Sequence, residues 1–140
     1  MTIQPGNLIL LGVLLLALVT VESGGYFLTR VVRGHVATNR LQQNFFRAGH
    51  AHAAVLLVLS FAIVSVIDAT SLDGIWRFIG TSFVPIAALL MPAGFFLSVV
   101  GKDPQKPNRA ILLLWIGAAV LTIGLLTAGI ALVAAGAAAA

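Results

Sequence analysis

An all-α fold, a transmembrane up-down four-helix bundle, is what this chain predicts, and three observations predict it. The 140 residues are 60% hydrophobic and 9% charged, which leaves too little polar surface for a soluble domain. Four apolar runs each reach the roughly 20 residues that a helix needs to cross a hydrocarbon core. The connections between them are short, so consecutive helices should pack antiparallel within a single domain covering residues 1–140.

The first run, approximately 8–28, is leucine-rich. The residues before it carry no Lys or Arg and no A-x-A cleavage site follows, so it reads as a retained helix and not as a signal peptide. Its Gly24-Gly25 pair suits a close-packing notch for a neighbouring helix. The second run, approximately 45–67, opens on Phe45-Phe46-Arg47-Ala48-Gly49-His50-Ala51-His52. The third, approximately 75–100, carries Pro92, expected to free the Ala88 carbonyl and bend the helix. The fourth, approximately 110–133, is almost wholly apolar. Its Gly117, Gly124 and Ala128, with Gly49 and Ala53 of the second run, form small-residue faces that suit contacts between copies. The tail after it is alanine and glycine and is expected to fray.

Charge orients the bundle. Arg30, Arg33 and Arg40 lie between the first two runs, Arg47 stands at the entrance of the second, and Lys102, Lys106 and Arg109 lie between the third and fourth. The other end has Arg77 alone, opposed by Asp68 and Asp73, in a turn expected to be solvated with Asp73 capping the third helix. Loops one and three are therefore expected in the cytoplasm and both termini outside. The net charge of +4 is no nucleic-acid footprint, because the cations flank apolar runs. With no cysteine, disulfides, thiolate zinc sites and thiol nucleophiles are excluded. No G-x-S-x-G, P-loop, H-E-x-x-H or G-x-G-x-x-G occurs, so the commonest enzyme mechanisms lack their parts.

Ionisable residues inside the runs are the candidates for function, because a charge at the bilayer centre costs about 2.5–3.5 kcal/mol even on the mildest scales. Glu22 lies about two turns from the basic end of the first helix, with Tyr26 and Thr29 on the same face. Arg47, His50 and His52 fall in the first two turns of the second helix, at similar depth. Residues two apart on a helix point about 200° apart, so His50 and His52 cannot easily chelate one ion and should have different partners. Arg47, His50 and Ala54 share one stripe, where Glu22 is expected to pair with Arg47 beside His50. His52 should face the third helix, the fourth or another copy.

Structural roles would satisfy each of these residues: Arg47 snorkelling, the histidines hydrogen-bonding neighbours, and Glu22 as bundle glue. Three functional roles stand beside them. A proton or small-ion pathway would use Glu22, Tyr26, Arg47, His50 and His52, with His50 as the titrating relay. A haem or transition-metal site would take His50 or His52, completed by Glu22, Met91 or a second copy. A lipid site would hold a headgroup at Arg30, Arg33 and Arg47, with its tail against Phe45, Phe46, Phe95 and Phe96. Transport or conduction leads these readings, with haem or metal binding next and then an accessory subunit of a larger membrane complex. One four-helix protomer has little room for a pore, so a path would form at contacts in a homo-oligomer.

Through Phe46-Arg47-Ala48-Gly49-His50-Ala51-His52-Ala53 and Met91-Pro92-Ala93-Gly94-Phe95-Phe96-Leu97-Ser98, the chain resembles a group of small, uncharacterised bacterial four-helix integral membrane proteins. The resemblance spans all four helices and implies the architecture and a bacterial inner-membrane location, and it carries no activity across. The His50-Ala51-His52 motif also looks loosely like the H-x-H segments of haem-copper oxidase catalytic subunits, whose remaining haem and copper ligands have no match in this sequence.

Overall fold

The computed structural model describes residues 2–140, which form four long helices: α1 Pro5–Val32, α2 Arg40–Val66, α3 Gly74–Ser98 and α4 Leu112–Ala139. Single 3-10 turns, Ile67–Ala69 and Arg109–Ile111, extend α2 and precede α4, and no strand occurs among the described residues. Helices of 25 to 28 residues are about 37–42 Å long at 1.5 Å per residue, more than the roughly 30 Å of a hydrocarbon core. All four are long and apolar enough to cross a membrane. Helices α1 and α2 begin before the apolar runs that announce them and α1 and α4 end beyond theirs, whereas α3 stops at Ser98, two residues short; local chemistry at the ends explains the extensions.

At the start of α2, Asn39 Oδ1 accepts from the Gln42 amide at 2.9 Å, while Gln42 Oε1 accepts from the Asn39 amide at 3.1 Å. This capping box satisfies two otherwise orphaned donors and starts the helix in polar sequence. Asn39 Nδ2 also donates to Asp103 Oδ1 and the Pro104 carbonyl, and Gln42 Nε2 donates to the Val99 and Gly101 carbonyls. The loop between α3 and α4 is thereby fastened to α2. At the far end of the chain, the alanine tail stays helical to Ala139, where fraying was expected; alanine has the highest intrinsic helix propensity.

Helix α3 runs through both Pro85 and Pro92 as one continuous element. Each proline lacks an N–H, so the carbonyls of Thr81 and Ala88 lose their intrahelical donors. Asp73 occupies the N-cap position of α3, but its side chain makes no capping hydrogen bond.

Packing follows chain order, α1 on α2, α2 on α3 and α3 on α4, and α1 and α4 are not close-packed neighbours. The core joins Leu11 and Leu14 of α1 to Leu56, Leu57 and Val64 of α2 and Ala88 and Met91 of α3. The tightest seam is α3–α4. A Cβ at Gly94 would lie 2.5 Å from the Leu114 nitrogen, one at Gly117 would lie 2.6 Å from Met91 Cγ, and one at Gly124 would lie 2.8 Å from Phe83 Cβ. Gly49 is likewise pressed against Phe95 and Phe96 of α3. The small residues expected to serve contacts between copies are thus occupied inside the protomer.

Candidate intramembrane polar site

His50 is half-buried between α1 and α2, and the glycine pair of α1 is its seat. A Cβ at Gly24 would lie 3.3 Å from His50 Nδ1, and one at Gly25 would lie 3.6 Å from both Cε1 and Nε2. The notch receives an imidazole rather than a neighbouring backbone. Any larger residue at Gly24 would press on the ring, so this pair and the histidine fit as a unit.

The imidazole sets the depth of the other groups. Glu22 stands three residues before Gly25 and Arg47 three before His50; because the helices are antiparallel, they lie about 4.5 Å to either side of the ring along the axis. Both side chains are exposed on the protomer surface, as are Tyr26 and Thr29. The expected Glu22–Arg47 ion pair is not formed; among the described residues the ion pair is Arg77 with Asp68. The hydroxyls of Thr20, Ser23 and Thr29 donate to carbonyls of their own helix. Glu22 has no such recourse: a carboxylate can only accept, and backbone donors in mid-helix are already used.

His52 lies apart from this cluster. Its Nδ1 is 2.8 Å from the Ala48 carbonyl, a geometry that fixes the Nδ1–H tautomer and leaves Nε2 as the acceptor. The ring packs on Phe95 of α3 with centroids 4.9 Å apart. The two histidines therefore serve different neighbours, as the 200° separation requires. Among the described residues no group of three or more His, Asp or Glu side chains comes together. Met91, considered as a ligand, is buried in the core and lies against Gly117.

Aromatic rings join the basic ends of three helices. Phe27 of α1 meets Phe46 edge-on at 5.4 Å, Phe46 stacks on Phe96 at 5.6 Å, and Phe45 meets Phe95 at 5.7 Å. These rings, considered as a seat for a lipid tail, pack on one another. Arg30, Arg33 and Arg47 are all exposed.

One polar centre went unrecognised in the sequence. Asp68, expected in a solvated turn, has a side chain only 2% exposed, pairs with Arg77, and accepts from the Gln4 amide at 2.7 Å and from Asn7 Nδ2 at 2.9 Å. It binds the start of α1 and the first turn of α3 to the end of α2. The usable signal was Asn7, a polar residue that opens an apolar run and becomes buried.

The fold and the span lengths define a multi-pass helical membrane protein. No protein-family model, curated protein or solved structure matches the chain.

Proposed function

We propose that this protein conducts or transports a proton or small ion, with Glu22 and His50 as the pair that relays it and the path lying along the outer side of the α1–α2 seam. The observation that supports it is a carboxylate exposed on a membrane-spanning helix one turn from an imidazole seated in a glycine notch. Ionisable groups at that depth are costly and by default mark a function. Imidazole is the side chain whose ordinary titration range straddles physiological pH. Tyr26 and Thr29 continue the polar stripe toward the basic end, where Arg47 also lies. A four-helix protomer has little room for a central pore, so in this reading the path is completed where copies meet in the bilayer. We place the basic loops in the cytoplasm and both termini outside, in a bacterial inner membrane, because Lys and Arg cluster at that end.

The test is proton flux in liposomes loaded with a pH-sensitive dye under an imposed gradient. Glu22→Gln and His50→Ala should each lower flux at least tenfold while leaving the helical circular-dichroism spectrum unchanged. Flux at the parental level in both variants would refute the reading.

A second reading rests on His52. Metal-ligating histidines commonly donate their other ring N–H to a carbonyl, and Nδ1 of His52 does so, leaving Nε2 for a haem iron or transition metal. An absorbance spectrum and elemental analysis of protein purified in detergent decide it. A Soret band or stoichiometric metal that His52→Ala abolishes would favour a cofactor protein over a conducting one.

A further inference from the structure

We infer that the cavity beside His52 is a binding site for a membrane-dissolved phenol, a flat ring whose hydroxyl donates to Nε2 of the imidazole. The inference goes beyond the proposed function, whose relay does not include this residue. It starts from one nitrogen. Nδ1 of His52 is 2.8 Å from the Ala48 carbonyl; a carbonyl can only accept, so the proton sits on Nδ1 and Nε2 carries a lone pair. Among the described residues no partner meets Nε2. The ring is not free to turn and find one, because it is held at Ala48 and packed on Phe95 with centroids 4.9 Å apart. Counted from Arg40 at the start of α2, His52 lies about 18 Å along a helix about 40 Å long. The lone pair is therefore near the middle of the span, far from either interface.

The surroundings select what occupies the site. His52 lines a cavity of about 170 Å3 whose other walls are Ala51, Val55 and Leu56. Ala51 and Val55 are exposed, so the cavity opens toward lipid. Water does not suit it, because an enclosed water needs about two to four polar partners and this lining offers one. An acyl chain fills the space but leaves the acceptor unpaired, the costly outcome for a polar atom held away from water. A metal ion needs several ligands, and among the described residues no group of three or more His, Asp or Glu side chains comes together. What remains is an apolar molecule with one donor. Pockets that enclose a whole drug-sized ligand run to about 300–1,000 Å3, so this one takes a single ring and leaves the rest of the molecule in lipid. A phenol meets both conditions, since its hydroxyl is a stronger donor than an aliphatic one and its ring is apolar and flat.

Nitrogen NMR of protein with isotope-labelled histidines, in lipid nanodiscs, tests this directly. The probe is para-hexylphenol, and its methyl ether, para-hexylanisole, lacks only the donor. The Nε2 signal of His52, assigned by its absence in His52→Ala, should move saturably with the phenol and stay in place with the ether. By equilibrium dialysis, corrected for empty nanodiscs, His52→Ala should bind the phenol about 2–10-fold more weakly, the factor that one net hydrogen bond supplies. Ala51→Phe fills the cavity from an exposed position and leaves the imidazole in place, so it should abolish the shift. A signal that does not move, that moves equally with phenol and ether, or that responds in Ala51→Phe as in the parent overturns the proposal. So does movement of His35, His50 and His52 alike, which would mean partition into the bilayer alone. An Nε2 signal already displaced before the probe is added, and released by a chelator, would give the nitrogen to a metal and overturn the phenol site as well.

Discussion

Replacing Gly94 with alanine would put a methyl group into the backbone of α4. The added carbon would lie 2.5 Å from the Leu114 nitrogen, 2.8 Å from its Cβ and 2.9 Å from its Cα, whereas carbon contacts are comfortable at about 3.5–4.0 Å. The obstruction is main chain, so no rotamer change relieves it and the helices must separate by about 1 Å locally. Overpacking of a close-packed interior costs about 1–3 kcal/mol, and the upper half of that range applies where backbone must move. Alanine regains about 0.8–1 kcal/mol of helix propensity over glycine, so the net loss should be about 1–2 kcal/mol. Gly12 supplies the control: it is exposed, and nothing lies within 4 Å of its added Cβ, so Gly12→Ala should be neutral or gain up to about 1 kcal/mol. Reversible unfolding in mixed micelles, followed by helical circular dichroism, measures both. A Gly94→Ala variant as stable as the parent, or an equal loss in Gly12→Ala, would refute the packing argument.

Two further substitutions probe the polar ends. Asp68→Ala removes a carboxylate that pairs with Arg77 and accepts from Gln4 and Asn7. Breaking a buried pair costs about 3–5 kcal/mol, and the 23% exposure of Arg77 lowers the expectation to about 2–3 kcal/mol. The same unfolding assay should show it, with faster hydrogen exchange in the first turns of α1; a loss below about 0.5 kcal/mol would mean that the pair is solvated. Asn39→Ala removes the cap of α2 as well as the donor to Asp103 and Pro104. It should cost about 1–2 kcal/mol, and Asn39→Ser, which keeps a capping acceptor and loses the amide donor, should fall between it and the parent.

The four spans were legible because hydropathy and length alone identify a helix that must satisfy its backbone in lipid. Their ends were less legible. Arg40 to Asn44 look like loop by composition, and only the reciprocal Asn39–Gln42 cap makes them helical. The depth match between Glu22 and the histidines, and the divergence of His50 from His52, followed from helical spacing. What spacing could not supply was the partner of each group. Two oppositely charged residues on one face invite pairing, yet Arg47 and Glu22 remain apart and exposed. Asp68, which looked like a solvent-facing residue of a turn, is the buried acceptor. Gly117 and Gly124 show the same limit, because a small-residue face has the same spacing whether it meets its own α3 or another copy.

The Asp68 arrangement also divides the molecule by stiffness. Among the described residues, the hydrogen bonds that tie α1 and its N-cap residue Gln4 to another helix end on this one carboxylate, at the acidic end. The rest of α1 is held by apolar contact and by one imidazole resting in a notch. Directional bonds fix an angle, whereas apolar contact tolerates sliding, so α1 is fixed in angle at Asp68 and held at its basic end by apolar contact alone, Phe27 on Phe46 and the buried Val31. The α3–α4 seam, interlocked through three glycines, cannot yield in the same way. Motion that alters the surroundings of His50 is thus expected as a swing of α1 against a stationary α3–α4 frame, with its largest travel near Tyr26 and Thr29.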